Sequence, residues 1–525
     1  MSMQFEQETA AVLERLDVLR AADAPTHGGR VLSYVYDSGI AEIDALAAAA
    51  VRAVQPVNAL DPTTFSSVAV MEREIIGFAR AVFHGDDSVV GTVTSGGTES
   101  CLLAVKTARE IWRADAAANG VDHRATVPRI IAASSVHAAF HKAAEYFGLR
   151  LELVPVDPAS GLPAVADFAA LFADADDIAL VVLSAPSYPH GVIDPIAEVS
   201  ALAAAAGISC HVDACFGGFV LPWWPGLDAA GWDLQLPGVT SLSADLHKYG
   251  YTPKGASVLL QRGRDRQRKQ YFATTGWPGY PVVNSTLLGS KSAAALAAAW
   301  AITQTLGQSG FAELTASCAR ATETLLAVIR GIDGLRVVGE PTGPAIAVTA
   351  DETVPAERRV DPHHWADQAR THGWQLQLQP GFDQAGTTRP GGAWLPATAH
   401  LTVTPVTESR LPELSAALVV AADEVRGVPH VDVAPLLGSL GAALGGSLPA
   451  TLDAATAYAL LRGIGLAPGS ADAGAAGSTD AGAQATAADG ALPERLAPFL
   501  ALVEALPPAV AEPLLTELIA RLVEP

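Results

Sequence analysis

A lysine on a turn between two buried strands can act as a nucleophile, and Lys248 has that setting. Val239-Thr240-Ser241-Leu242 precede Ser243-Ala244-Asp245-Leu246-His247-Lys248-Tyr249-Gly250, and Ala256-Ser257-Val258-Leu259-Leu260 follow Thr252-Pro253-Lys254-Gly255. In a cleft with little water such an amine can lose its proton, and a neutral amine adds to a carbonyl to form a Schiff base. Alone, the residue reads equally as a solvated lysine at a loop tip.

Three groups upstream change that balance, each standing just after an apolar run. Thr94-Ser95-Gly96-Gly97-Thr98-Glu99-Ser100 open a helix. The glycines allow close backbone approach, and free N–H groups with the helix dipole attract an anion such as phosphate; an ordinary N-cap explains the same residues. His137, after Ser134-Ser135-Val136, begins another helix, where its flat ring can stack on a planar ligand, cap the helix or fill core. His211-Val212-Asp213-Ala214-Cys215 ends a buried run, and a buried carboxylate needs a cationic partner, either a side chain or the protonated nitrogen of a pyridine ring. An anion cup, a stacking ring, a pyridinium carboxylate and an amine are what pyridoxal phosphate requires, so that cofactor is predicted and no metal is.

The elements that must position these groups follow from periodicity. Apolar runs at 89–93, 129–133, 151–155, 178–183 and 208–212 alternate with helical stretches, the pattern of an α/β domain with a largely parallel sheet covered on both faces. In such sheets ligands gather beyond the carboxyl ends of the strands, where all four groups stand. Before them lie two helices joined by Pro25-Thr26-His27-Gly28-Gly29, with Tyr34 and Tyr36 in the connection, and a third helix over about 68–83. Long helices over about 289–332 precede runs at 335–338, 345–348, 374–378 and 400–404, which predict a small α+β domain closed by a helix over about 409–425. Residues 469–490 are almost wholly Ala, Gly, Ser, Thr and Asp and read as a flexible linker, flanked by amphipathic helices near 449–464 and 493–523.

A formal net charge of −22 argues against nucleic acid and anionic membrane as partners. The first 19 residues carry charges at helical spacing and are not expected to be a signal peptide, and the alanine-rich stretch 292–302 is too short to span a bilayer. Four cysteines without a CxxC pair predict reduced thiols in a cytoplasmic protein.

The motifs resemble those of the group II decarboxylase branch of fold-type I pyridoxal phosphate enzymes, and within it the sphingosine-1-phosphate lyases. The runs that carry the likeness are Thr92-Val93-Thr94-Ser95-Gly96-Gly97-Thr98-Glu99-Ser100, His137-Ala138-Ala139-Phe140, Pro189-His190-Gly191-Val192-Ile193-Asp194-Pro195, His211-Val212-Asp213-Ala214-Cys215, Ser243-Ala244-Asp245 with His247-Lys248-Tyr249-Gly250, and His400-Leu401-Thr402-Val403-Thr404. The resemblance spans about residues 30–425 and implies the following roles. Lys248 is the Schiff-base lysine, Asp213 the pyridinium partner and His137 the stacking residue. Ser95, Gly96, Gly97, Thr98, His211, Ser243, His247 and Ser290 line the cofactor, while Tyr36, Asn58, Tyr249 and Lys254 meet substrate.

It further implies a helical arm (1–60), a large cofactor-binding domain (61–333), a small α+β domain (334–428) and an extension (429–525) for which the resemblance offers no counterpart. A homodimer is expected, in which 276–290 reaches the neighbouring chain's site. The expected activity is retro-aldol cleavage of a β-hydroxy amine, with amino-acid α-decarboxylation as the alternative and a non-catalytic cofactor-binding scaffold as a third reading. Two departures bear on this. Asp61-Pro62-Thr63 stand where the lyases carry His-Pro-Asp, and Lys291 stands where arginine is usual, so contacts to a substrate phosphate are weakened. No counterpart of the eukaryotic lyases' membrane-spanning N-terminus is expected.

Overall fold

The computed structural model describes residues 2–118, 122, 125–227, 231–388, 393–443, 451–463 and 495–524. The expected linker 469–490 lies outside them.

Seven strands form the main sheet: β1 Val89–Thr94, β2 Arg129–Ala133, β3 Arg150–Val154, β4 Ile178–Ser184, β5 Ser209–Asp213, β6 Ser241–Ala244 and β7 Ser257–Arg262, in the order β1-β7-β6-β5-β4-β2-β3. β7 runs against both neighbours and the other six share one direction. Alternation along the strands divides the core into two layers. Ile130, Ala132, Leu180 and Val182 pack under the helices Gly97–Ala118 and Ala138–Phe147, whereas Ile131, Val181 and Leu183 face the helix Ile196–Ala205 and the layer beyond it. With helices on both faces, β2, β4, β5 and β6 are buried along their whole length, and β4 accordingly reads as an apolar run up to its last residue.

A short hairpin, β8 Phe272–Thr274 with β9 Val282–Asn284, leaves Trp277, Tyr280, Val283, Leu287 and Leu288 exposed. The small sheet is β10 Leu335–Val337, β11 Ala345–Ala350, β12 Gln377–Gln379 and β13 Thr398–Thr402, ordered β10-β11-β13-β12 and antiparallel throughout. Its core holds Trp365, Trp374, Leu401 and Leu418. The helix Ala294–Arg330 joins the two cores: Leu296 and Ile302 belong to the large one, Leu325 and Ile329 to the small one, and the backbone breaks at Gly307 (φ 52°, ψ −169°) between them. Such a turn suits glycine, which carries no Cβ to clash.

The N-terminal arm threads the small domain. The Leu32 amide bonds the Gln375 carbonyl at 2.8 Å and the Thr402 amide bonds the Leu32 carbonyl at 2.7 Å, so Tyr34 and Tyr36 leave from a fixed edge. Helix Ser2–Arg20 stands exposed, while Ala41–Ala53 buries Ile43 and Ala47 in the large core.

The C-terminal helices Ala434–Ala443, Ala454–Gly463, Ala497–Ala505 and Pro508–Leu522 share a core of their own, with Leu460, Leu502, Val510, Leu514 and Leu518. The single helix expected over 493–523 is two, because Pro507 and Pro508 remove consecutive amide donors and force Leu506 into extended backbone. Among the described residues no helix is long and apolar enough to cross a membrane.

The domain contact is close at Gly191, whose φ is +73° and where an added Cβ would lie 2.3 Å from the Ala345 carbonyl oxygen. Gly191→Ala is expected to cost about 1–2 kcal/mol for the left-handed backbone alone, with more from prying β11 off the large domain. Urea unfolding of the two proteins measures it.

Candidate active site

The parallel strands all end at one edge, and the predicted groups collect there because each follows a strand end. β1 delivers Ser95 to Thr98, β2 the loop Ser134–His137, β5 Asp213, and β6 Asp245 to Lys248. At the centre the Asp245 carboxylate is 2% exposed, with Oδ2 3.1 Å from Lys248 Nζ and 3.4 Å from His247 Nε2. Its Oδ1 has no hydrogen-bond partner among the described residues. The carboxylate presses against Gly97, where an added Cβ would meet Oδ2 at 2.7 Å, Oδ1 at 2.8 Å and Cys215 Sγ at 2.9 Å.

Asp213 sits one strand away. Oδ1 accepts from the Cys215 amide at 3.0 Å and from Ser243 Oγ at 3.4 Å. Burial works against its charge, but His137, the Cys215 amide and His211 outweigh it and hold the carboxyl below its usual range. Behind it His211 bonds Ser241 Oγ through Nδ1 at 2.9 Å and Ser243 Oγ through Nε2 at 3.1 Å, and burial pulls its pKa down to about 4. His137 caps its helix, Nδ1 accepting from the Ala139 amide at 3.2 Å, with the ring otherwise exposed.

Facing these groups is an aromatic wall. Tyr36 meets Tyr249 edge-on at 5.2 Å and Phe216 at 6.3 Å, and Tyr188 stacks on His400 at 4.4 Å. Lys254 lays its ammonium 4.5 Å over the Tyr36 ring and donates to the His247 carbonyl at 3.1 Å. Burial first, then the charge of Lys248, brings Lys254 down to about 8.

The profile of the family described as "Pyridoxal-dependent decarboxylase conserved domain" matches residues 62–349, more than half of the chain. The chain belongs to the group II pyridoxal phosphate-dependent decarboxylase family, of fold type I. The profile described as "Pyridoxal-dependent enzyme, C-terminal putative HTH domain" matches 435–521, so the extension, for which no counterpart was expected, has one within such enzymes. Within the family the chain is 38% identical to the sphingosine-1-phosphate lyase of Dictyostelium discoideum over 56% of its length and 54% of that protein's. It is 35% identical to the rice lyase over 70% of its length and 66% of that protein's. These matches thus span about half to two-thirds of the curated relatives. The solved sphingosine-1-phosphate lyase of Burkholderia pseudomallei superimposes with a TM-score of 0.68 at 31% identity, covering 86% of this chain and 96% of that one. The Lactobacillus brevis glutamate decarboxylase, at 21% identity and TM-score 0.69 over 80% of this chain and 93% of that one, shares the fold.

Several expected site residues are also engaged within the fold. Tyr249, expected at the substrate, is fully buried and donates its hydroxyl to the Val403 carbonyl at 2.7 Å. His211, expected to line the cofactor, bonds Ser241 and Ser243 through its two ring nitrogens, and Ser243 in turn bonds Asp213. Burial opposes the charge of Lys248, but Asp245, Tyr36, Cys215 and Asp213 together raise its pKa well above an ordinary lysine's.

Asn58 Nδ2 bonds Ser290 Oγ at 3.3 Å, and no hydrogen bond joins either to Lys248 or Asp213 among the described residues. The same segment is tied to its own chain's glycine loop by Glu99, which accepts from the Ser95 and Leu287 amides at 2.6 Å each. Asp61 caps its own turn, accepting from the amides and hydroxyls of Thr63 and Thr64. Sequence reasoning overlooked Tyr188 and the packing role of Phe216. Both follow strand ends, β4 and β5, so the rule that found Asp213 would have found them.

Cys101, Asp213 and Cys215 bring potential metal-ligand atoms within 4.8 Å of one another. The bond from Cys101, then burial and the nearby carboxylates, raise the pKa of the Cys215 thiol.

Asp194 is fully buried near Asp213, with Oδ2 bonded to the Ser184 amide at 2.7 Å and Oδ1 unpartnered. Burial pushes its pKa up to about 7. The native state therefore binds the proton more tightly than the unfolded chain, and stability falls as pH rises from about 4 to about 7. Asp194→Asn keeps the acceptor and removes the titration, so its melting temperature is expected to vary less between about pH 5 and about pH 8 than the parent's; paired melts at the two pH values read this.

Proposed function

We propose that this protein is a pyridoxal phosphate-dependent carbon–carbon lyase that cleaves a β-hydroxy amine to an aldehyde. The residues present fit the cofactor. The bare Gly97 keeps the start of its helix open where any Cβ would strike Asp245, and the buried Asp213 keeps a negative charge without a protein cation bonded to it. Lys248 would hold the aldehyde, Ser95, Gly96, Gly97, Thr98 and His247 the phosphate, His137 the ring face and Asp213 the ring nitrogen. Bound there, pyridoxal phosphate supplies an electron sink for negative charge developing on the substrate carbon that bears the amine.

The observation that carries the lyase reading is Lys254. Retro-aldol cleavage needs a base for the β-hydroxyl proton, and loss of carbon dioxide does not. A lysine with pKa about 8, lying over Tyr36 and held by the His247 carbonyl beside Lys248, is partly neutral near pH 7 and can take that proton. Burial raises the Tyr36 pKa to about 12 even against the opposing charge of Lys248, so its hydroxyl stays a donor throughout. Asp245 steadies the Lys248 charge while the amine is idle. The aromatic wall of Tyr36, Tyr188, Phe216 and His400 excludes water from the cleaving bond; His400, pulled to about 3 by burial, stays neutral.

α-Decarboxylation is the second reading, favoured by Asp61. Its own turn hydroxyls, Thr63's first, pull its pKa to about 2, so an anion stands where the lyases carry histidine. The exposed aromatic and aliphatic side chains at 277–288 support a homodimer with sites near the interface, and four buried, unpaired cysteines support a cytoplasmic setting.

Lys248→Ala is expected to lose both the visible absorbance of the bound cofactor and turnover. Assays of β-hydroxy amines and amino acids should release aldehyde; carbon dioxide alone would select decarboxylation, and silence in both would remove the enzyme reading. With Lys254 neutral only above its pKa, kcat/KM should rise through about pH 8, and Lys254→Met should flatten that limb while the cofactor stays bound.

A further inference from the structure

Gln384 is a small-domain residue buried completely against the large domain. Its Oε1 accepts from Ser134 Oγ at 2.6 Å and from the Val156 amide at 2.9 Å, and its Nε2 donates to the Val156 carbonyl at 2.9 Å and the Ala393 carbonyl at 2.8 Å. All four hydrogen-bonding positions of the amide are used, and only a glutamine-type side chain offers two acceptor and two donor positions at that reach. Close by, Leu395 is buried with Ala133 and Val156 in a small apolar cluster of its own. The Thr388 amide bonds the Leu153 carbonyl at 2.9 Å, so the small-domain segment lies along the edge strand β3.

Ser134 opens the four-residue loop that carries His137. Past it, the backbone and cap hydrogen bonds of the loop among the described residues are the Val136 amide on the Ala133 carbonyl and the helix cap itself, with Val136 packed in the core. The far end of the segment is clamped as well. Phe382 and Leu395 exchange backbone bonds at 2.9 Å, and the Gly381 amide donates to Glu504 Oε2 of the C-terminal helical unit at 2.8 Å. That unit is itself held by Asp367, which accepts the Leu496 and Ala497 amides at 2.9 and 2.8 Å.

We propose that Gln384 is a positioning residue for His137, and that the C-terminal helical unit, through Glu504 on Gly381, holds the other end of the same strut. The inference rests on the cofactor reading above and adds to it a route by which the extension acts on the ring-stacking face. Removing the amide takes that partner from the Val156 carbonyl, leaves the Val156 amide with only Ser134 Oγ at 3.3 Å, and lets the loop under His137 drift.

The test is titration of pyridoxal phosphate into the apoprotein, with visible circular dichroism of the bound cofactor as the orientation readout and the apoprotein melting temperature as a fold control. Gln384→Ala is expected to weaken cofactor binding about tenfold and to lower the dichroism per bound cofactor. Glu504→Ala should shift both in the same direction by less, and the double variant should fall short of the sum, since the two act through one segment. Should Gln384→Ala fail to fold, Ser134→Ala removes only the hydroxyl end of the contact and is read the same way. Variants that bind as tightly as the parent with the parent's dichroism overturn the strut and leave the cofactor reading standing. A parent that takes up no cofactor overturns both.

Discussion

The Asp245 carboxylate, sealed between Lys248, His247 and the bare Cα of Gly97, is the constraint on which the site depends. A buried acid needs a cation or hydrogen-bond donors, and here the Lys248 amine is that cation. The same contact explains why the loop after β1 must be glycine at this position.

Around it the acids are sorted by environment. Asp213 keeps its charge because His137, the Cys215 amide and His211 favour it over the cost of burial, while Asp194, with one amide bond and the Asp213 charge nearby, is pushed toward neutrality. One negative charge at the strand ends is thus kept by withholding another. The lysines divide likewise. Lys248, facing carboxylates, is held charged, and Lys254, facing Lys248 and an aromatic ring, gives up its proton more readily. Two amines of one chemical type differ in how tightly they hold a proton because their neighbours differ.

The edge of the sheet supplies only half of the enclosure. The arm at 30–36 is stitched to the small sheet, Tyr249 reaches the Val403 carbonyl, and Gln384 reaches β2 and β3, so the small domain and the arm close over a site built by the large one. The C-terminal helices, with three arginines against many acids in their segment, dock on that small domain through the carboxylates of Asp367 and Glu504.

The order of strands and helices, the parallel sheet and the place of Lys248, Asp213, His137 and the glycine loop were legible in the chain itself. They depend on local alternation, turn residues and the rule that polar groups follow strand ends. What alternation cannot report is a partner that arrives from far along the chain. Tyr249 and Tyr36 look alike in sequence, and only the approach of residue 403 decides that one hydroxyl is consumed while the other remains. The hydrogen bonds of His211 and of Gln384 likewise come from segments distant in the chain. Protonation and hydrogen-bond saturation belong to the packed environment, and that exists only once distant segments have met.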